Sequence, residues 1–403
     1  MFSTILVASE AHALTLNLID VTGNLTNTAA GKDLQIAADY WESMLTSNAT
    51  VNIQVGYSGL GTNVLASTSS ASKVVTVASV YQQLAATGNS DLDHIAVANL
   101  RPLDANGGLS FIDDGITTNG TTSSVSTTAR VYDNDDSANN KYLDVNTSVL
   151  RALGYTGLGS SPDATITFSN TFSFDFDPTD GIQGNEIDFL GVAIHEIGHA
   201  LGFTSGVDTY DYYTQTTIPS NPAASLNGSA VFSTLDLFRY STDPKNLVPG
   251  TGPALDLSTG GSPYFSIDGG ADVFNGAKFS AGQYNGDGRQ ASHWKDGAAG
   301  SCVEIGIMDP TFCRGTSNTA AVTDDDIAAM DALGWNVKID ALTDLNYVMT
   351  TAQIYAAMTA PPTSSPPTGS GSVPEPASWG LMVLGFGLAG AAARLRRKRA
   401  LAA

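Results

Sequence analysis

Apolar side chains recur along this chain with two periods, and each period predicts a different element. From Lys32 to Ser47 the positions Leu34, Ala37, Ala38, Trp41, Met44 and Leu45 share one stripe of a 3.6-residue turn. That spacing predicts an amphipathic helix packed through Trp41. Val51 to Tyr57 alternates apolar and polar side chains, the two-residue period of a strand. Ala164 to Phe176 alternates as strongly and predicts a strand or hairpin, while Val74 to Leu84 is expected to form a second helix. Ile187 to Leu201 is apolar nearly all round, the mark of a buried helix, and Gly202 stands at a natural C-terminal stop. Between 206 and 290 Gly, Ser, Asn and Tyr prevail, with short apolar runs such as Thr234 to Tyr240, so an irregular insertion with small strands is expected. Thr323 to Leu333 reads as a capped helix, with Thr323 as N-cap and Asp324 to Asp326 in the first turn, where the helix dipole favours acids. No internal repeat interrupts this order, and the mixture points to an α+β fold.

Composition narrows the class. The chain has 403 residues, of which 42% are apolar and 14% charged, too apolar for wholesale disorder and too charge-poor for a coiled coil. The 18 basic residues against 39 acidic ones leave a net charge of −21, which argues against nucleic-acid binding. Cys302 and Cys313 are expected to form one local staple in an oxidising compartment, with a pair of buried thiols as the alternative. Asp133 to Asp136 and Asn285 to Gly288 are acidic turns that could ligate a structural Ca²⁺ through oxygen, or stand as solvated loops.

The ends speak to compartment. Residues 1–13, apolar from Phe2 to Ala8 and closing on Ala11-His12-Ala13, read as a partial signal peptide without its basic start. Thr359 to Ser372 is a Pro/Ser/Thr/Gly-rich linker. Ala377 to Ala393 is uncharged and as a helix would span about 25 Å, the short end of a membrane crossing. The basic cluster from Arg394 to Arg399 would then stay cytoplasmic, with everything before the span outside. Val373-Pro374-Glu375-Pro376, the apolar span and the basic end together resemble the PEP-CTERM sorting signal of Gram-negative bacteria. The resemblance implies recognition by an exosortase-type enzyme, transient anchoring in the inner membrane, removal of the tail and a place at the cell exterior. A plain membrane anchor is the alternative.

The strongest chemical signal is His195-Glu196-Ile197-Gly198-His199, inside the most apolar helical stretch. Its expected chance occurrence in this composition is on the order of 0.001. Residues i and i+4 share a helix face, so the two imidazoles can converge on one Zn²⁺. Glu196 projects from the adjoining face, where it can take a proton from water and later deliver it to a leaving amine. A catalytic zinc needs a third protein ligand. Six residues after His199 stands Ser205, a poor one, which leaves His293, with Glu304 and His94 as alternatives.

His195-Glu196-x-x-His199-Ala-Leu-Gly202-Phe, a distant Ser292-His293-Trp294, then Ile307-Met308-Asp309, resembles the leishmanolysin-like branch of the metzincins. Aligned motifs run from about 190 to 335. The resemblance implies His195, His199 and His293 as zinc ligands, Glu196 as general base and Met308 as the apolar floor under the metal. It implies a metzincin-like zincin: residues 14–205 as the sheet-and-helix subdomain, 206–340 as a loop-rich subdomain with the third His and the Met-turn, and a helix remnant and linker over 341–372. The sorting signal then occupies 373–403. Where some members carry a tyrosine donor, Asp309-Pro310 follows Met308, leaving Tyr264, Tyr284 and His94 as candidates. The expected activity is that of an exported zinc endopeptidase acting on protein or peptide. The alternative is a matrix or surface-binding protein that keeps the fold without significant hydrolysis.

Overall fold

The structure, a computed structural model, describes residues 14–119, 122–214, 226–242, 253–297, 305–315 and 320–360. The expected signal peptide, Cys302, Glu304, and the linker, sorting signal and apolar span beyond 360 lie outside the described residues. The chain divides into two units, 1–360 and 361–403. Within the first, β1 (Thr15–Asp20), α1 (Ala29–Met44), β2 (Thr50–Ser58), β3 (Ala66–Ser70), β4 (Ser72–Thr76), α2 (Val77–Thr87) and α3 (Asp91–Ala98) follow in order. Next come β5 (Phe111–Asn119), β6 (Thr122–Asp133), α4 (Ala138–Lys141), β7 (Tyr142–Asn146), α5 (Thr147–Ala152), β8 (Ala164–Ser169), β9 (Phe174–Asp175) and β10 (Ile187–Asp188). The helix α6 (Phe189–Ala200) precedes α7 (Val207–Thr214), β11 (Arg239–Ser241), β12 (Ala254–Leu255), β13 (Tyr264–Phe265), β14 (Ala321–Thr323), α8 (Asp324–Ala332), β15 (Val348–Thr350) and α9 (Thr351–Thr359).

The principal sheet has the order β1-β2-β8-β3. β1, β2 and β8 run parallel, and β3 runs antiparallel to β8 at the edge. Val51, Ile53 and Val55 of β2 and Ile166 and Phe168 of β8 are at most 1% exposed, the reward of their period-2 pattern. α1 and α6 pack against each other, and α6 lies over β8 and β3. Trp41 is fully buried between the helices, its indole N–H donating to the Ile194 carbonyl at 3.0 Å. Buried apolar side chains from Leu14 to Ile354 form one continuous cluster.

Two elements differ from their sequence reading. Helix α2 begins only after Thr76, whose side chain accepts from the Ser79 N–H, while Val74 and Val75 lie in β4 against β7. A β-branched pair with a cross-strand partner favours the pleat over the helix. Of the strand or hairpin expected from Ala164 to Phe176, the strand forms but ends early and no hairpin follows: β8 stops at Ser169, and β9 pairs parallel with β10. Phe174 and Phe176 instead pack on Phe189, ring centroids 5.3 and 5.1 Å away. The stretch 206–290 holds α7 and the small antiparallel sheet β12-β11-β13. Among the described residues no helix is long and apolar enough to cross a membrane.

Candidate metal centre

Helix α6 is buried at every position. Its start is fixed by Asp188, whose carboxylate accepts from the Gly191 N–H at 3.0 Å. Its end is a Schellman turn: Phe203 N–H bonds the Gly198 carbonyl and Gly202 N–H the His199 carbonyl. Gly202 takes φ +114°, and a Cβ there would lie 2.2 Å from a Val149 methyl, so only glycine fits. The Trp335 indole N–H donates to the orphaned Leu201 carbonyl at 2.8 Å.

This turn has a consequence for the chemistry. It folds the Phe203 carbonyl back to within 2.7 Å of His199 Nδ1. His195 Nδ1 faces the Ile307 carbonyl at 2.7 Å, and His293 Nδ1 faces the Gln290 carbonyl at 3.3 Å. A carbonyl can only accept, so each Nδ1 carries the proton and each Nε2 presents a lone pair. Those lone pairs converge: His199 Nε2 stands 3.0 Å from His195 Nε2 and 3.2 Å from His293 Nε2. All three ligating atoms lie within 4.8 Å of one another.

Three acceptors pointed at one another have nothing to donate between them. Protonation offers little relief, because burial, reinforced at His195 by His199, lowers His195 to about 3. Burial lowers His199 to about 4 and, with its two imidazole neighbours, holds His293 well below the usual range. A shared cation resolves the conflict. Imidazole–metal bonds of about 2.0–2.1 Å at tetrahedral angles put the nitrogens roughly 3.4 Å apart, close to what is seen. The donor set therefore fits a metal ion.

Glu196 sits beside this centre, 5% exposed. Thr68 of the edge strand donates its hydroxyl to Glu196 Oε2 at 2.6 Å, and no hydrogen bond from the described residues reaches Oε1. Burial pushes the carboxyl up to about 7, against the Thr68 bond, which pulls it down. Met308 is fully buried and packs under α6: a Cβ on Gly198 would meet its Sδ at 2.5 Å. Glycine between the two histidines is what lets the thioether approach.

His293 comes from a loop 94 positions after His199, and two buried carboxylates hold it in place. Asp326, in the first turn of α8, accepts from the N–H groups of Thr323, Ile307 and Met308 and from the Trp294 indole. It thereby joins the capped helix, the Met308 turn and the neighbour of His293. Asp208 of α7 accepts from the Ala291 and Ser292 N–H groups and from the Ser292 hydroxyl. The Ser292 hydroxyl oxygen in turn accepts from Ser205 N–H at 2.8 Å. Ser205 itself donates to Asp236, which is buried with Arg239. The position where a compact pattern would place the third histidine thus seats the loop that delivers it.

Of the other sequence candidates, His94 is exposed on α3 and stands outside the cluster. Tyr264 donates its hydroxyl to the Gly270 carbonyl at 2.6 Å, and Tyr284 is 48% exposed. Cys313 is disulfide-bonded. In the acidic turns, Asp133 accepts from the Asn139 and Asn140 amides and Asp287 from Lys295, so neither turn gathers three metal-ligating side chains among the described residues. Sequence reasoning missed Thr68, Asp208, Asp236 and Asp326. Asp326 carried a signal, its place in the first turn of a capped helix, whereas the others lie in segments with no motif.

Residues 372–398 match the PEP-CTERM protein-sorting motif, which marks the chain as a protein exported and sorted through an exosortase-type enzyme. No curated protein and no solved structure matches the chain.

Proposed function

We propose that this protein is an exported zinc-dependent endopeptidase, distantly related to the leishmanolysin-like metzincins. The observation that carries the reading is the convergence of three Nε2 lone pairs, from His195, His199 and His293, beside the half-satisfied carboxylate of Glu196. When bound, zinc supplies Lewis acidity toward the scissile carbonyl and toward water. Glu196 Oε1 accepts the proton of the attacking water and passes it to the leaving amine. Thr68 holds Oε2, so the carboxylate turns its free oxygen to the reaction. The carbonyls of Ile307, Phe203 and Gln290 keep the imidazoles in one tautomer through proton exchange elsewhere in the site.

The substrate, a protein or peptide, would add as a strand along β3, which among the described residues pairs with β8 alone. The stretch 377–393 would anchor the chain transiently in the inner membrane until the sorting enzyme removes it. The test is hydrolysis of casein by zinc-loaded wild type against Glu196→Gln, with zinc content measured on both. The expected result is activity lost by roughly 10²–10⁴-fold with zinc retained. Hydrolysis surviving the substitution, or a zinc-loaded wild type that cleaves no protein, would overturn the reading.

A further inference from the structure

His195 and His199 are placed by a helix, whereas His293 lies in a loop and must be placed by whatever packs against it. The segment alongside is Phe279 and Ser280, joined to the loop by a bridge between Phe279 and Trp294. Ser280 holds the loop twice. Its N–H donates to the His293 carbonyl at 3.0 Å, and its hydroxyl donates to the Trp294 carbonyl at 2.8 Å. The carbonyl of Ser280 accepts in turn from Arg239 Nη2 at 2.9 Å.

Arg239, in β11, is 1% exposed, and no other arginine or lysine among the described residues is buried. A guanidinium taken out of water needs opposing charge. Asp236, Asp256, Asp208 and Asp287 face it and supply that charge. Two of these acids grip the same loop: Asp208 accepts from Ala291 and Ser292, and Asp236 accepts from Ser205, whose N–H reaches Ser292. The guanidinium carbon also lies 5.3 Å from the centre of the Phe279 ring, and Phe279 stacks on Trp294 with centroids 5.0 Å apart and planes 23° from parallel. Nε and Nη1 find no acceptor among the described residues, so the side chain contributes one bond, one stacked face and its charge. An apolar residue could fill the space. Only a planar cation donates in its plane while its face rests on a ring.

We infer that Arg239 is a positioning residue for the third imidazole: through Ser280, and through the Phe279–Trp294 stack, it fixes where His293 meets the two histidines of α6. The inference rests on the ligand set of the endopeptidase reading and adds to it the device that seats the remote member. Two routes, one along the backbone and one through stacked rings, start from the same guanidinium and end at residues 293 and 294.

The test is a double-mutant cycle on zinc affinity, measured on full-length protein by competition with a chelator. Arg239→Met should weaken zinc binding roughly 10–100-fold. In a His293→Ala background the same change should have almost no effect, because the ligand it acts through is gone. Arg239→Lys keeps the buried charge, and so the fold, but loses the planar fork. It should still weaken binding several-fold, again only where His293 is present. The visible absorption of cobalt-loaded Arg239→Lys, which follows ligand number and geometry, should shift toward that of cobalt-loaded His293→Ala. Val80→Ala, a core truncation in α2, should lower the unfolding midpoint and leave affinity and spectrum unchanged. Equal losses with and without His293, or a Val80→Ala protein that loses zinc as readily, overturn the assignment. Unchanged affinity in both Arg239 variants, with His293→Ala still weak, overturns Arg239 alone and leaves the endopeptidase reading standing. Unchanged affinity in His293→Ala itself overturns the ligand set, and the role of Arg239 falls with it.

Discussion

His199 shows how little freedom the candidate metal centre has. One backbone turn sets its tautomer, and its Nε2 faces two other lone pairs at 3.0 and 3.2 Å. His293→Ala removes the ligand that arrives from outside the helix and leaves α6 intact. Zinc affinity should fall by at least 10²-fold, read by competition with a chromogenic chelator, with the far-ultraviolet circular dichroism unchanged. Unaltered affinity would remove His293 from the ligand set. Thr68→Val keeps the shape of β3 but deletes the donor to Glu196. A lost hydrogen bond to a charged group is worth about 1.5 kcal/mol, so hydrolysis should fall roughly tenfold with zinc content constant. At this scale the sequence was most informative: His195, Glu196 and His199 are adjacent in the chain, and helix geometry alone brings them together. Thr68 was invisible, because a threonine in a hydroxyl-rich edge strand has nothing in sequence to distinguish it from Ser67 or Ser69.

The elements tell a similar story of local signals read correctly and distant ones missed. Helix α1 and strand β2 followed from their periods, α6 from an apolar run buried all round and α8 from its capped acidic first turn, each a signal local to its own segment. The strand β4 did not, since its pairing with β7 joins residues 66–74 positions apart. The course of 206–290 was unreadable because buried hydrogen bonds to Asp208 and Asp236, and not an apolar stripe, organise it. Gly202→Ala tests the turn that ends α6. A Cβ in that strained backbone, 2.2 Å from Val149, should cost roughly 2–4 kcal/mol in urea unfolding. A cost under 0.5 kcal/mol would show that the turn relaxes freely. Asp326→Ala leaves four buried donors unmatched. It should destabilise by several kcal/mol and weaken zinc binding as well, because the Met308 turn and the Trp294 segment lose their common anchor. Loss of stability with zinc affinity intact would confine Asp326 to the fold.

Across the whole molecule, carboxylates dominate the response to pH. Burial pushes Asp33, Asp309, Asp325 and Asp331 each up to about 8, with neighbouring carboxylates adding to the effect. All four are at most 5% exposed. In the unfolded chain they titrate near 4, so above that pH the folded state holds more protons. Their stabilising contribution is complete below about pH 4 and is lost as pH rises through about 8. The buried histidines work in the opposite sense, with folded values lowered from about 6.5, so in metal-free protein they cost stability only below that pH. Between pH 9 and 6.5 the carboxylates act alone. The melting temperature of the metal-free protein should therefore climb as pH falls across that window. A melting temperature that stays flat across the window would mean these carboxylates are already ionised in the folded state.

The proposed centre is one cation held by residues from two distant segments. X-ray absorption at the zinc edge of stoichiometrically loaded protein reads that arrangement directly. The expected spectrum has three imidazole nitrogens at about 2.0–2.1 Å, falling to two in His293→Ala. A wild-type spectrum with two imidazoles, or one unchanged by removing residue 293, would contradict it.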